Sequence, residues 1–290
     1  MKTNMKAATI LLFISITFIC SCKQHKKVVR VREQPVRQQP KTITYQIANA
    51  KQWLLADTTG DSSKLQIALA INRTDKAAFA QMDTVVIPTD MSGDIAYYLP
   101  FPLNVPYLAD IDKIIFFSYP TQTFATYENG VLIYTGPTNM GRKKDPTPTG
   151  LFFANWKAEK TISTVNDEWE LFWNFNIANK EGVGWHQYSL PGYPASHSCL
   201  RLQEKDARYL YNWADQWVLE GTDNIIANGT PVIVFGSYNF EGEKPWLQLV
   251  FNPHALDISE AEIQKQTMPY LEKILTEQTK RETVASSDSN

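Results

Sequence analysis

A chain of 290 residues that is 43% hydrophobic, 20% charged and 12% aromatic can bury a sizeable core. That composition excludes a disordered, collagen-like or polytopic membrane protein. The formal net charge of −2 predicts no nucleic-acid partner from bulk electrostatics, and three cysteines exclude a disulfide scaffold or a cysteine-rich zinc module.

The N-terminus reads as an export signal. Lys2 and Lys6 precede an apolar run, residues 7–20. As a helix this run spans about 21 Å, short of the roughly 30 Å hydrocarbon core, so residues 1–21 are expected to be a cleaved signal peptide. The order Ile19-Cys20-Ser21-Cys22 resembles a bacterial lipobox. The resemblance implies that Cys22 is lipidated and becomes the first mature residue, with an ordinary signal peptide cut nearby as the competing reading. A lipidated Cys22 holds the protein at a bacterial membrane, in the cell envelope and facing the periplasm, and leaves Cys199 as the one mature thiol. Residues 22–42 form a basic tether: residues 23–41 carry seven Lys and Arg against one Glu. Such a stretch is expected to stay extended without packing.

Residues 43–100 read as a small α+β domain. Residues 64–72 have helical periodicity and residues 83–88 read as a short strand ended by proline. Residues 70–75 and 83–88 together resemble the second half of LysM-like modules, which bind cell-wall glycan; a plain packing domain is the alternative. From Ile111 the pattern turns to strands, at residues 113–119, 123–127, 131–135, 150–154, 169–177 and 231–235. Asn129-Gly130 between two of them predicts a type I′ hairpin turn, since both residues tolerate positive φ. Leu210, Trp213, Ala214, Trp217 and Val218 follow helical spacing, with Gly221 as the stop. Residues 238–278 form a C-terminal extension with a helix that Pro269 should kink or stop, and the polar tail, residues 279–290, is expected to be disordered.

Several chemistries fail on sequence. Gly136 and Gly141 have phosphate-loop spacing, but Arg142-Lys143-Lys144 and Pro146 follow where Lys-Ser/Thr and a helix are required. No metal-ligand spacing and no Gly-x-Ser-x-Gly elbow occur, so neither a metal site nor a Ser-His-Asp hydrolase is expected.

One stretch carries chemistry. Residues 185–202 (WHQYSLPGYPASHSCLRL) bring the mature thiol and two of the four histidines within fourteen residues. A thiol is only a few per cent thiolate at neutral pH, and a histidine neighbour is the usual activator. The turn residues Leu190-Pro-Gly-Tyr-Pro194 can fold His186 back toward Cys199, and Arg201 offers a fixed cation for a carboxylate.

Residues 186–202 resemble the signature of the L,D-transpeptidase (YkuD-type) catalytic domain: an upstream His, a turn, Ser-His-Gly-Cys, an aliphatic residue and Arg. The hairpin at Asn129-Gly130, the Asp145-Pro-Thr-Pro-Thr-Gly-Leu-Phe152 run and Asn228-Gly-Thr-Pro-Val-Ile-Val234 resemble the family's strands and turn. The resemblance implies a mainly β protein with α additions, a β-sandwich catalytic domain over residues 108–237 following the small α+β domain. It implies Cys199 as nucleophile, His186 as base and His197 packed beside the thiol. It further implies an oxyanion hole from the backbone of His197, Ser198 and Cys199, with Arg201, Ser196 and Tyr193 contacting substrate. The implied donors are peptidoglycan tetrapeptide stems, cleaved between the diamino acid and D-Ala and transferred to an amine as 3→3 cross-links. Carbapenems are expected as covalent inhibitors. Two alternatives stay open: an L,D-carboxypeptidase or transfer to another acceptor, and a non-catalytic peptidoglycan-binding lipoprotein. Ser198 stands where the family has Gly, which costs strain if that residue needs φ > 0.

Overall fold

In a computed structural model of the chain, the structure describes residues 34–56, 62–163 and 169–287. The signal-like segment, Cys22 and most of the tether lie outside them. The protein is mainly β. Thirteen strands among the described residues form a five-stranded sheet, a four-stranded sheet and two short ribbons, with six helices around them.

The five-stranded sheet has the order β5-β4-β3-β13-β6: β3 (Ile114–Ser118), β4 (Thr123–Glu128), β5 (Val131–Pro137), β6 (Gly150–Phe153) and β13 (Pro231–Phe235). Its hydrophobicity is nearly continuous because both faces are buried. Ile115, Phe117, Phe124, Val232 and Val234 face one core, and Ile114, Phe116, Tyr127, Leu132, Ile233 and Phe235 face another. The first core is closed by the four-stranded sheet β10-β9-β8-β7, made of β7 (Lys157–Ile162), β8 (Glu170–Ala178), β9 (Val183–Gln187) and β10 (Leu200–Leu202), together with α4 (Glu204–Trp213). The second is closed by segment 96–111 and by Ile263 of α5 (Glu260–Thr267) and Ile274 of α6 (Leu271–Ser287). Asn129 and Gly130, with φ of 48° and 81°, make the β4–β5 turn with the positive φ values that a type I′ hairpin requires.

Ahead of the sandwich, β1 (Tyr45–Ala48) and β2 (Val85–Pro88) form an antiparallel ribbon. Between them run α1 (Ala50–Ala56), α2 (Ser62–Asn72) and the single turn α3 (Lys76–Phe79). Residues 67–72 of α2 are buried on every side, with Ile67 and Ile71 in one cluster and Ala68 and Leu69 in another. Asn72 ends the helix against β2, donating to Val86 O and accepting from Val86 N, both at 2.8 Å. The first of these clusters also contains Trp246 and Leu249 from beyond the second sheet. The small unit therefore shares its core with the C-terminal extension.

Four expectations need correction. The tether's last residues pack: Arg37 donates to Leu132 O at 2.7 Å and pairs with Asp94 at 3.6 Å, and Pro40 is buried beneath Gly93. The helix expected around residues 210–218 is α4, which starts at Glu204 and ends at Trp213, with Ala214 already extended. Its last carbonyls are taken by two distant lysines: Lys157 Nζ of β7 reaches Tyr211 O at 2.6 Å, and Lys113 Nζ, just before β3, reaches Trp213 O at 3.0 Å. Trp217 and Val218 lead into a ribbon, β11 (Val218–Glu220) with β12 (Asn224–Ala227), and Gly221 turns it. The tail is helical through Ser287, because Arg281 anchors α6 to Gln216 O and Asn228 O. Pro269 does break the C-terminal helix, a 3₁₀ turn at Met268–Tyr270 separating α5 from α6.

Candidate active site

β9 and β10 run parallel, with Trp185 opposite Leu200 and His186 opposite Arg201. Side chains alternate across a strand. Since Trp185, Leu200 and Leu202 point into the core, His186, Cys199 and Arg201 emerge together on the other face. Parallel strands need a long connection, and residues 188–199 supply it as a loop tied down along its length. Asn139, just beyond β5, exchanges two 2.9 Å backbone bonds with Arg201. The Asn139 side chain also holds the loop, donating to Tyr193 O and accepting from Ala195 N. Ser196 bonds through its backbone to Met140 and Arg142, and its Oγ donates to Cys199 O at 2.6 Å. Thr147 Oγ1 donates to Ser198 O at 2.9 Å and accepts from Gly141 N at 2.8 Å.

The thiol lies along the β9 edge, Sγ 3.8 Å from Gly182 O. Gly184 is required there by the packing of β9 on β8, since a Cβ at this position would sit 2.4 Å from Phe175 O. Burial pushes the Cys199 thiol above its ordinary pKa, opposed by the Gly184 N–H and the charge of Arg201. His186 is 4% exposed, and burial, reinforced by the charge of Arg201, brings its imidazole down to about 4. Its Nδ1 lies 2.9 Å from Gln187 O. A carbonyl can only accept, so Nδ1 carries the proton and Nε2 presents its lone pair. At neutral pH Cys199 is therefore a thiol and His186 a neutral imidazole.

The Arg201 guanidinium lies 4.3 Å over the Tyr188 ring. Among the described residues, the side chains that act on its charge are Tyr188, Cys199, Arg142 and Tyr193. The His197 ring is 5.3 Å from Trp169, with its Nδ1 buried and unpartnered among the described residues. Neither His197, Ser198 nor Cys199 donates a backbone hydrogen bond from its N–H to backbone carbonyls of the described residues.

Two expectations sharpen. Ser196 is 1% exposed and spends its hydroxyl on Cys199 O. It folds the loop, and its expected substrate contact is corrected accordingly; Tyr193, 53% exposed on the rim, remains open to a ligand. Ser198 sits at φ 77°, the left-handed region, so the serine is strained. Ser198→Gly is expected to stabilise the fold by about 1 kcal/mol, read as a higher urea midpoint; an unchanged or lower midpoint would contradict the strain. Sequence reasoning missed Gly184, Asn139 and Gly141, none of which belongs to a local pattern. Thr147 lay within the quoted Asp145–Phe152 run without a role.

Comparison with known proteins matches residues 112–234 to the YkuD L,D-transpeptidase catalytic domain. The chain is similar to an L,D-transpeptidase from Mycobacterium smegmatis at 21% identity and TM-score 0.35, over 43% of this chain and 59% of that one. An L,D-transpeptidase from Stackebrandtia nassauensis matches at 23% identity and TM-score 0.36, over 44% and 57%. L,D-transpeptidase 3 from Mycobacterium tuberculosis, in complex with a faropenem-derived adduct, matches at 22% identity and TM-score 0.34, over 43% and 61%. The chain thus spans less than two thirds of each of these solved chains. No curated protein matches it. Residues 112–234, which take in β3 to β12 and all of β13 but its last residue, match the family model of the YkuD L,D-transpeptidase catalytic domain.

Proposed function

We propose that the protein is a cysteine-dependent L,D-transpeptidase acting on peptidoglycan stem peptides. The observation that carries this reading is the parallel β9–β10 register, which sets Cys199 and Arg201 on one face with His186. Cys199 Sγ attacks the carbonyl between the diamino acid and D-Ala while its proton passes to His186 Nε2. A tetrahedral oxyanion forms, for which the N–H groups of the His197–Cys199 loop are the available donors, the kind of preorganised site worth several kcal/mol in a transition state. Collapse breaks the C–N bond, His186 returns the proton to the departing D-Ala amine, and a thioester remains. An acceptor amine then attacks, gives its proton to His186, and the thiolate leaves and is reprotonated. Arg201, which has no carboxylate partner among the described residues, suits the stem's carboxylate.

The neutral dyad supports this order of events, since proton transfer accompanies attack and no resting thiolate is needed. In this reading a lipid on Cys22 holds the domain in the cell envelope facing the periplasm, and the small α+β unit is a LysM-like glycan contact. Carbapenems, whose strained carbonyl presents the same electrophile, acylate Cys199.

The test incubates soluble residues 34–290 with disaccharide-tetrapeptide and resolves the products by mass. A product of two substrates less one D-Ala is expected. Tripeptide alone would move the reaction to hydrolysis, and unchanged substrate with folded protein would count against the enzyme.

A further inference from the structure

The loop between His186 and Cys199 is held from outside the family-matched domain. Residues 72–75, at the end of α2, form a corner that presses on it. Asp75 N donates to Leu190 O at 3.0 Å, and Leu190 N donates back to Asp75 Oδ2 at 2.8 Å. The other carboxylate oxygen is fixed by Ala78 N at 2.8 Å, so the side chain is chelated between the two units. Thr74 bridges Pro191, and Gln203 Nε2, just after β10, donates to Thr74 O at 2.8 Å. Gly192, at φ 80°, fits so tightly that a Cβ would meet Met82 Cε at 2.5 Å and Thr74 Cγ2 at 3.0 Å. Arg73 Nε donates to Thr121 O at 2.6 Å, beside Gln122, whose Oε1 accepts from Met140 N at 2.8 Å. The corner therefore touches the turn behind Met140, the loop itself and the residue that follows β10.

Leu190 comes four residues after His186, and Gly192 seven before Cys199. On its other side the loop is held by Asn139. With one post at Asn139 and the other at Asp75, the loop cannot drift without breaking a bond at one of them.

We propose that Asp75 is a positioning residue, through which the small unit sets the loop that brings His186 and Cys199 into register. This rests on the reading of Cys199 and His186 as the reacting pair. The proposal assigns the α+β unit a share in catalysis that does not depend on its binding any glycan.

The test compares Asp75→Ala and Asp75→Asn with the parent protein, each well below its melting temperature. Two quantities are read: kcat and KM on disaccharide-tetrapeptide, and the rate at which iodoacetamide alkylates Cys199 at pH 7. His186→Gln supplies the unassisted alkylation baseline. Asp75→Ala is expected to lose at least about tenfold in kcat with KM nearly unchanged, the scale of a small misplacement of reacting groups. Its alkylation rate should fall toward the His186→Gln baseline. Asp75→Asn, which has one oxygen for the two N–H groups of Ala78 and Leu190, should fall between the parent and Asp75→Ala in both. A folded Asp75→Ala protein with kcat and alkylation within twofold of the parent overturns the proposal. If the parent alkylates with assistance from His186 but turns over no stem peptide, the transpeptidase reading fails while the alkylation comparison still decides the role of Asp75.

Discussion

Cys199→Ala is expected to abolish turnover of the stem peptide, while His186→Gln leaves a small residue of it. The two losses differ because the two groups act differently. Without the thiol there is no acyl acceptor and no thioester. Without the imidazole the thiol can still attack, but its proton must go to water, a loss of about 10²- to 10⁴-fold. The pH profile carries the sharper test. Burial holds His186 to about 4, so in the proposed mechanism it is in the neutral form a base requires from neutral pH well into acid. The acid limb of kcat/KM is therefore expected near pH 4, with no limb near the ordinary histidine value of 6.5. The thiol is pushed up by burial, which keeps the resting pair uncharged across the same range. A limb near 6.5 would mean that His186 is solvated in the working enzyme, and that its isolation behind Tyr188 and Gln187 does not persist.

Gly141→Ala is expected to damage both fold and activity. A Cβ on Gly141 would lie 2.3 Å from Asp145 O, 2.4 Å from Thr147 N and 2.7 Å from the Pro146 carbonyl carbon. All three are backbone atoms, so no rotamer change relieves the overlap and the 141–147 turn must open. The expected cost is about 3 kcal/mol, at the upper end of ordinary overpacking. Opening the turn also withdraws Thr147, whose hydroxyl links Gly141 N to Ser198 O, so the Ser198–Cys199 backbone loses its support. Urea unfolding reads the first effect. The second is read as a fall in kcat measured on the fraction that remains folded. A variant as stable and as active as the parent would show that the turn has room to move.

What the sequence disclosed and what it hid follow a physical division. Features written in neighbouring residues were legible. The Asn129-Gly130 turn, the strand at Pro231–Phe235 and the break at Pro269 all depend on short spacing. His186, Cys199 and Arg201 were singled out from one short stretch, and the parallel register sets His186 opposite Arg201. Features decided by distant partners were hidden. The end of α4 is fixed by Lys113, just before β3, and Lys157 of β7, both far back in the chain. Trp217 and Val218 satisfy a helical pattern that those contacts cut short. The basic tether looked wholly solvated by composition, yet Arg37 finds carbonyls 95 and 96 residues away. Asp75 meets Leu190 across 115 residues, and nothing near Asp75 in sequence announces a catalytic loop. The polar end of α6 has little apolar content of its own and holds its course through the Arg281 anchors.

Intact-protein mass spectrometry after exposure to a carbapenem tests the central claim most directly, because it asks whether Cys199 is an acylating nucleophile irrespective of the acceptor. One adduct is expected, located on the peptide that contains Cys199, formed more slowly in His186→Gln and absent in Cys199→Ala. Folded parent protein that stays unmodified would contradict the account, and so would an adduct that survives in Cys199→Ala.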